Sequence, residues 1–182
     1  MTVRTARRRS RGLRHLVRDE AGNATIEFVI IFPVFIMIML MAIEAGVMLT
    51  RQAMLERGLD IAIRDLRLGT WEEPTHDQFK DRICDNVAGV PDCRNNLLLE
   101  LAPIDTEDWI LPTDRPSCVD RVEDLEPVTT FIEGAGNQLM LVRACFVIDP
   151  FFPTTSWGLQ LPLDASGGFQ MVSASAFANE PR

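Results

Sequence analysis

A long apolar run near the N-terminus constrains this chain more than any other feature. Residues 28–43 contain no charged side chain, and beyond Glu44 the run continues uncharged to Leu49. At about 1.5 Å per residue, a helix from Thr25 to Leu49 is long enough to cross the roughly 30 Å hydrocarbon core of a bilayer. The sequence therefore predicts one transmembrane helix over residues 23–50, in contact with the lipid bilayer.

One carboxylate, Glu27, lies inside the apolar part of this predicted helix. A charge at the centre of a membrane helix raises the free energy of insertion by roughly 2.5–3.5 kcal/mol, so a partner is expected to compensate for it. Directly upstream, residues 1–22 form a polar leader with seven arginines. Because basic residues that flank a first apolar helix stay in the cytoplasm, we expect a cytoplasmic N-terminus and an exported C-terminal part.

The residues at this junction resemble a known family. The stretch Asp19-Glu20-Ala21-Gly22-Asn23-Ala24-Thr25-Ile26-Glu27-Phe28, together with Pro33 and the closing Ala178-Asn179-Glu180-Pro181, is similar to the TadE-like minor pseudopilins of bacterial tight-adherence (Tad) pili. The resemblance implies that a prepilin peptidase cleaves between Gly22 and Asn23. It also implies that Glu27 and Phe28 act in processing or assembly, and that the partners are other pilins and the inner-membrane pilus assembly machinery.

The sequence leaves the role of Glu27 open. After cleavage the new Asn23 amine is cationic near neutral pH. In the apolar centre of a filament, Glu27 of one subunit could pair with this amine in the next, which removes two unfavourable charges at once. Alternatively, Glu27 pairs only with its own terminus or serves as a recognition mark for the peptidase.

Three further features concern the predicted membrane helix. Pro33 lacks an N–H and crowds the preceding turn, so a kink is expected there. Ala42, Gly46 and Thr50 are spaced by four and form a strip of small residues that lets another helix approach closely. Glu44 is expected to reach the outer membrane interface or a neighbouring helix.

Helical periodicity continues beyond the apolar run. Over residues 51–69, apolar residues recur at intervals of four, three and four, at Leu55, Leu59, Ala62 and Leu66,. Gly69 follows at the position of a C-terminal cap. The sequence thus predicts one continuous helix from about residue 25 to residue 68, with an amphipathic extension that packs on an exported head domain over residues 70–182.

The head is predicted to contain helix and strand. Thr75-His76-Asp77-Gln78 has the pattern of a capping box that opens a short helix. Strands are expected over residues 97–101, Leu139–Ile148 and 169–177, with Leu139–Ile148 central because it is apolar nearly throughout. Residues 103–127 are expected to form a surface loop. The predicted fold class is α+β and pilin-like, with a long N-terminal helix packed on a small antiparallel sheet head.

All four cysteines lie in the part predicted to be exported, at Cys84, Cys93, Cys118 and Cys145. An even number in an oxidising compartment predicts two disulfides. Three pairings are possible, and we favour Cys84–Cys93 with Cys118–Cys145. A metal site is not expected, because there is no Cys-x-x-Cys pair and His76 is the only exported histidine.

Charge and motif content exclude several functions. Of the 18 basic and 26 acidic residues, seven arginines and two acids belong to the leader, so residues 23–182 carry 11 basic and 24 acidic residues. A domain this acidic repels nucleic acid, which is therefore not an expected partner. No nucleophilic side chain and base are spaced in the sequence in a way that indicates a catalytic pair. No glycine-rich phosphate loop follows a predicted strand. We expect no catalytic residue, no cofactor and no enzymatic activity.

The leading prediction is a minor pseudopilin of a Tad or type IV-like pilus. It would span the inner membrane once, with its C-terminal domain in the periplasm or outside the cell, and it would enter a pilus. One alternative is an uncleaved, single-pass, membrane-tethered periplasmic binding protein. Another is a membrane-anchored enzyme, which requires a deep pocket of titratable side chains around His76.

Overall fold

The structure, a computed structural model, describes residues 23–71, 74–109, 111–123, 127, 129–154 and 160–180. The leader and Gly22 of the predicted cleavage site lie outside the described residues. The chain divides into a first compact unit that ends at Leu40 and a second that begins at Met41. In chain order the elements are α1 (Asn23–Arg67), α2 (His76–Asn86), α3 (Cys93–Asn96), β1 (Leu97–Pro103), β2 (Leu139–Ile148) and β3 (Phe169–Ala178).

Helix α1 is continuous over 45 residues and runs through Pro33. The predicted long helix is therefore confirmed, whereas the kink at Pro33 stays a prediction. α1 ends at Arg67, and two residues later Gly69 has a φ of 64°, which lies in the left-handed region that glycine adopts without strain,. The Gly69 N–H donates to the carbonyl of Leu66 at 3.2 Å, and the Thr70 N–H donates to that of Asp65 at 3.2 Å. This bonding satisfies carbonyls that the helix end leaves open.

The three strands form one antiparallel sheet in the order β1-β2-β3, with β2 in the centre as predicted. Alternate residues of β2, from Met140 to Ile148, point into a hydrophobic core. α1 contributes six buried apolar residues to the same core: Met48, Leu55, Leu59, Ala62, Ile63 and Leu66. The molecule is thus α+β with a pilin-like layout, a long N-terminal apolar helix followed by a small antiparallel sheet.

The opposite face of the sheet is covered by the loop that follows β1. Glu100 and Arg143 face each other across β1 and β2 and form an ion pair of 2.5 Å. The backbone N–H of Ser117 donates to the Glu100 Oε1 at 2.8 Å. A disulfide between Cys118 and Cys145 joins the same loop to the centre of the sheet. One covalent link and one half-buried ion pair therefore hold this loop against β2.

Helix α2 lies close to α1 at Gly58. A Cβ placed on Gly58 would lie 2.5 Å from the Val87 Cγ2 and 3.0 Å from the backbone oxygen of Ile83. The capping box at the start of α2 is also present: the Thr75 side chain accepts from the Gln78 N–H at 3.3 Å. The glycine therefore sets how closely the two helices pack, a role that its local sequence does not reveal.

We predict that Gly58→Ala lowers the free energy of unfolding by about 1–3 kcal/mol, because the added methyl group must displace packed side chains and backbone. Gly46→Ala is the matched control in the same helix, since a Cβ there meets nothing within 4 Å. That substitution should be neutral or stabilise by up to about 1 kcal/mol through helix propensity. Chemical unfolding of the full chain in detergent tests both, and equal stability of the two variants would contradict the close packing.

Candidate functional site

The first part of α1 exposes apolar side chains around its whole circumference. Ile26, Val29, Ile30, Val34 and Phe35 are each more than half exposed. Within the most apolar 18-residue window of α1, whose mean hydropathy is 2.8, none of the residues is buried in the protein. A helix that is apolar on all sides and uncovered by protein is suited to a membrane. By length and composition, α1 is the one helix in the described part of the chain that could cross a bilayer.

Glu27 is exposed within this apolar segment, one helical turn after Asn23. Among the residues that the structure describes, it has no ion-pair or hydrogen-bond partner. Asn23, the residue predicted to become the new N-terminus, is also the first residue of α1. Phe28 is exposed and its ring stacks on that of Phe32, with centroids 5.0 Å apart. The carboxylate thus lies on a helix whose neighbouring side chains are apolar and exposed.

The strip of small residues on α1 faces away from the protein. Ala42, Gly46 and Thr50 are all exposed. A Cβ on Gly46 would meet no atom within 4 Å, and the Thr50 hydroxyl donates to the Gly46 carbonyl at 2.7 Å. This face of the helix is therefore open to a second helix, on the side opposite to the buried stripe.

Glu44 is the unexpected residue of α1, because its side chain is 0% exposed. Its Oε1 accepts the backbone N–H of Phe151 at 2.8 Å, and its Oε2 accepts that of Phe152 at 2.7 Å. The prediction that Glu44 reaches outward to the interface or to a neighbouring helix is therefore wrong. Each carboxylate oxygen instead accepts one N–H from the segment that follows β2, and such charge-assisted bonds are among the stronger hydrogen bonds in proteins.

Local sequence explains why this segment needs an acceptor. Strand β2 ends at Ile148, and Pro150 has no N–H of its own,. The next two N–H groups, those of Phe151 and Phe152, lie beyond the end of β2 and outside its ladder of hydrogen bonds. Buried backbone donors require partners. Glu44 lies one turn before Met48, on the same face as the buried stripe. The spacing 44, 48, 55, 59 was therefore the available signal that Glu44 points into the protein.

A second polar cluster joins the two ends of the loop between β2 and β3. The Arg121 Nη2 donates to the Asp149 Oδ1 at 2.7 Å, and its Nε donates to the Ser166 hydroxyl at 2.9 Å. The hydrogen bond with Asp149 raises the pKa of the Arg121 guanidinium. Burial alone would raise the pKa of Asp164, but hydrogen bonds from Ser166 and Gly168 outweigh burial and lower it. One arginine thus joins the residue that follows β2 to the turn that precedes β3.

The cysteines and His76 form no catalytic group in the described residues. The disulfides are Cys84–Cys93 and Cys118–Cys145, the pairing that the sequence favours. The His76 ring packs edge-on against Phe131 at 5.7 Å, and its Nδ1 lies 3.4 Å from the Asp77 Oδ1. Within the described ranges, no three His, Cys, Asp or Glu residues are placed to hold a metal ion. The residues of interest are therefore Glu27 and Glu44, the two carboxylates in the apolar part of α1.

Comparison with protein families supports this focus on α1. Residues 22–64 match the family model described as TadE-like protein, and the match spans the predicted cleavage site, Glu27, Glu44 and Gly58. No curated protein and no solved structure gives a significant match to the chain. Over this segment, which includes all of α1 except its last three residues, the chain is similar to TadE-like proteins.

Proposed function

We propose that the protein is a minor pseudopilin of a Tad-type pilus, a structural protein without enzymatic activity. α1 would anchor it once in the inner membrane, with the N-terminus in the cytoplasm and the head outside. The observation that carries the proposal is the uncovered apolar segment 24–40 of α1, whose one carboxylate, Glu27, is exposed and lies within the part that matches the TadE-like model. The arginines of the leader favour this orientation.

Processing would create the partner that Glu27 lacks. Cleavage after Gly22 releases the amine of Asn23, which is cationic near neutral pH. When subunits pack side by side in an apolar filament core, Glu27 of one subunit would meet the amine of the next. Each charge is costly in hydrocarbon, and pairing removes most of that cost. Subunits in the wrong axial register would leave both charges unpaired, so the pair would also select the register.

Other features of α1 fit the same role. The open strip of Ala42 and Gly46 would receive a helix of a neighbouring pilin or of the membrane assembly machinery. Pro33 would allow the helix to bend as a subunit leaves the bilayer. Phe28, beside Glu27, would add apolar contact next to the ion pair. The cysteines would keep the exported head folded through their two disulfides.

N-terminal sequencing and intact mass of the membrane-extracted protein test the proposal. We expect a chain that starts at Asn23 in wild type and at Met1 in Gly22→Val, because the β-branched side chain crowds the bond to be cut. Gly46→Val is the control at an exposed glycine of α1 and should leave the start at Asn23. A wild-type chain that starts at Met1 would favour the uncleaved, membrane-tethered binding protein, and a start near Gly46 would indicate ordinary secretory cleavage.

A further inference from the structure

Strand β3 has one edge that the sheet leaves open. The Ile104 N–H donates to the Leu139 carbonyl, so the odd-numbered residues of β2 bond to β1 and the even-numbered ones bond to β3,. The register between β2 and β3 then places the N–H and C=O groups of the even-numbered residues of β3 on the outer edge. The Val172 carbonyl on this edge accepts from the Gln52 side chain of α1 at 3.2 Å. Over residues 174–178 the outer edge has no hydrogen-bond partner among the described residues.

Nothing in the sequence of β3 protects this edge from another strand. Edge strands are commonly kept short or are shielded by charged residues, prolines or bulges. β3 has ten residues, none of them charged and none a proline, and its register with β2 is unbroken. The opposite edge of the sheet differs, because the Leu101 N–H of β1 donates to the Thr130 carbonyl at 2.8 Å and the Ile132 N–H donates to that of Leu101 at 2.9 Å. The β3 edge therefore has the features of a site for strand addition.

A groove lies between this edge and α1. Asp60, Arg64 and Leu68 of α1 line one side of it, and Ala176 and Phe177 of β3 line the other, around a volume of about 420 Å³. All of these residues belong to the compact unit that begins at Met41. The side chains of Asp60 and Arg64 are exposed and have no ion-pair or hydrogen-bond partner within the described ranges. One anion and one cation therefore remain to be paired by the occupant of the groove.

The spacing of these two charges matches the repeat of a β-strand. Asp60 and Arg64 are four residues apart on α1, which corresponds to a rise of about 6 Å. Two residues of a strand span about 6.6 Å, and side chains two positions apart lie on the same face. β3 runs in the same direction as α1, because Val172 lies beside Gln52 and Phe177 lies beside Arg64. A strand added along β3 therefore passes both charges and can pair with them through residues i and i+2.

We propose that the open edge of β3 binds an extended strand of another protein, whose face toward α1 carries a basic residue and, two positions away, an acidic one. Backbone hydrogen bonds supply affinity, and the pairs with Asp60 and Arg64 select the strand. A second copy of this chain is a poor match. Its β3 brings no charged residue to the groove, and two copies that each carry 11 basic and 24 acidic residues over 23–182 repel each other,.

Binding of synthetic peptides to the full chain in detergent tests the charge selection. In the probe, threonine alternates with a second set of residues, which are valine, lysine, glutamate and valine. The direction of the added strand is open, so peptides with lysine first and with glutamate first are both measured by fluorescence anisotropy. We expect one of the two orders to bind saturably. A peptide with two lysines should bind about five- to tenfold more weakly, because a repulsion replaces the pair with Arg64. Arg64→Glu should reverse this preference.

Proline at the edge tests the hydrogen bonds. Ala174→Pro removes one outward N–H and none of the bonds between β2 and β3, which is the arrangement in which edge strands tolerate proline. We expect peptide binding to weaken at least about tenfold, whereas Ala174→Val keeps the N–H and should bind as wild type does. Should the proline variant not fold, the wild-type chain is measured with peptides methylated on alternate backbone amides. Methylation of one alternate set should abolish binding, and methylation of the other should leave it unchanged.

The outcomes separate this inference from the proposed function. The absence of saturable binding by either peptide order would overturn the strand proposal, as would binding that is unaffected by the charges, by Arg64→Glu and by amide methylation. Sedimentation of the wild-type chain as a dimer that Ala174→Pro dissociates would also overturn it, because a second copy would then occupy the edge. A chain that starts at Met1 would contradict the proposed processing and would leave the peptide result unaffected.

Discussion

Glu27→Ala is expected to abolish entry of the protein into pili while leaving it in the inner membrane. Without the carboxylate, the amine of Asn23 in the adjacent subunit is buried in hydrocarbon with no partner. Removing one member of a buried ion pair costs about 3–5 kcal/mol, which lowers subunit association more than a hundredfold. Insertion itself should become easier, because a charge that costs roughly 2.5–3.5 kcal/mol in the bilayer is gone.

The measurement compares the amount of protein in sheared pili with that in the membrane fraction, together with the mass of the N-terminus. Glu56→Ala is the control, because Glu56 is an exposed carboxylate of α1 whose one hydrogen-bond partner among the described residues is Gln52. It should behave as wild type. A normal start at Asn23 with no protein in pili assigns Glu27 to assembly. An unprocessed chain assigns it to recognition by the peptidase, and wild-type amounts in pili would refute both roles.

Glu44→Ala is expected to destabilise the head by about 3 kcal/mol. The substitution leaves the N–H groups of Phe151 and Phe152 without their acceptor, and each buried, unsatisfied donor costs about 1–3 kcal/mol. It also removes a fully buried side chain beside Met48, which adds a packing loss,. Glu44→Gln should fall between the alanine variant and wild type, because its amide oxygen replaces one of the two acceptors.

Chemical unfolding in detergent gives the stability, and hydrogen exchange of a peptide that covers residues 149–154 gives the local effect. We expect the amides of Phe151 and Phe152 to exchange faster in Glu44→Ala, while exchange in α2 changes only as global stability does. Glu56→Ala again serves as the control. If the midpoint and the exchange of this peptide both stayed at wild-type values, the two hydrogen bonds from Glu44 would carry no stability.

Local patterns predicted most of the fold. The capping box at Thr75, the cap at Gly69 and the apolar run Leu139–Ile148 each depend on residues close in sequence, and each appears in the structure as expected. The same holds for the continuous helix, because apolar periodicity and the absence of a helix break are properties of a short window. The resemblance at the N-terminus was likewise readable from a few residues, and the family match over residues 22–64 agrees with it.

Among the contacts between distant parts of the chain, the Cys118–Cys145 disulfide was predicted, whereas the contacts of Glu44 and Gly58 were not. Glu44 and its partner Phe151 are 107 residues apart, so no local pattern links them. Gly58 resembles any helical glycine until α2 is placed against it. Burial on α1 begins at Glu44, inside the range predicted to cross the membrane, because the turn after β2 folds back onto this part of the helix. Such contacts depend on topology, which hydrophobic periodicity does not encode.

By itself, the sequence determined that α1 is long and that its apolar residues 23–50 are interrupted by two carboxylates, Glu27 and Glu44, since these follow from residue identity and helical geometry. Only the tertiary structure decided which carboxylate the protein uses for its own fold. Glu44 lies on the stripe that faces the sheet and receives two backbone donors there, whereas Glu27 lies where apolar side chains surround the whole helix. A buried charge requires hydrogen bonds from its surroundings. The head supplies them to Glu44, and for Glu27 we propose that a processed neighbour does so.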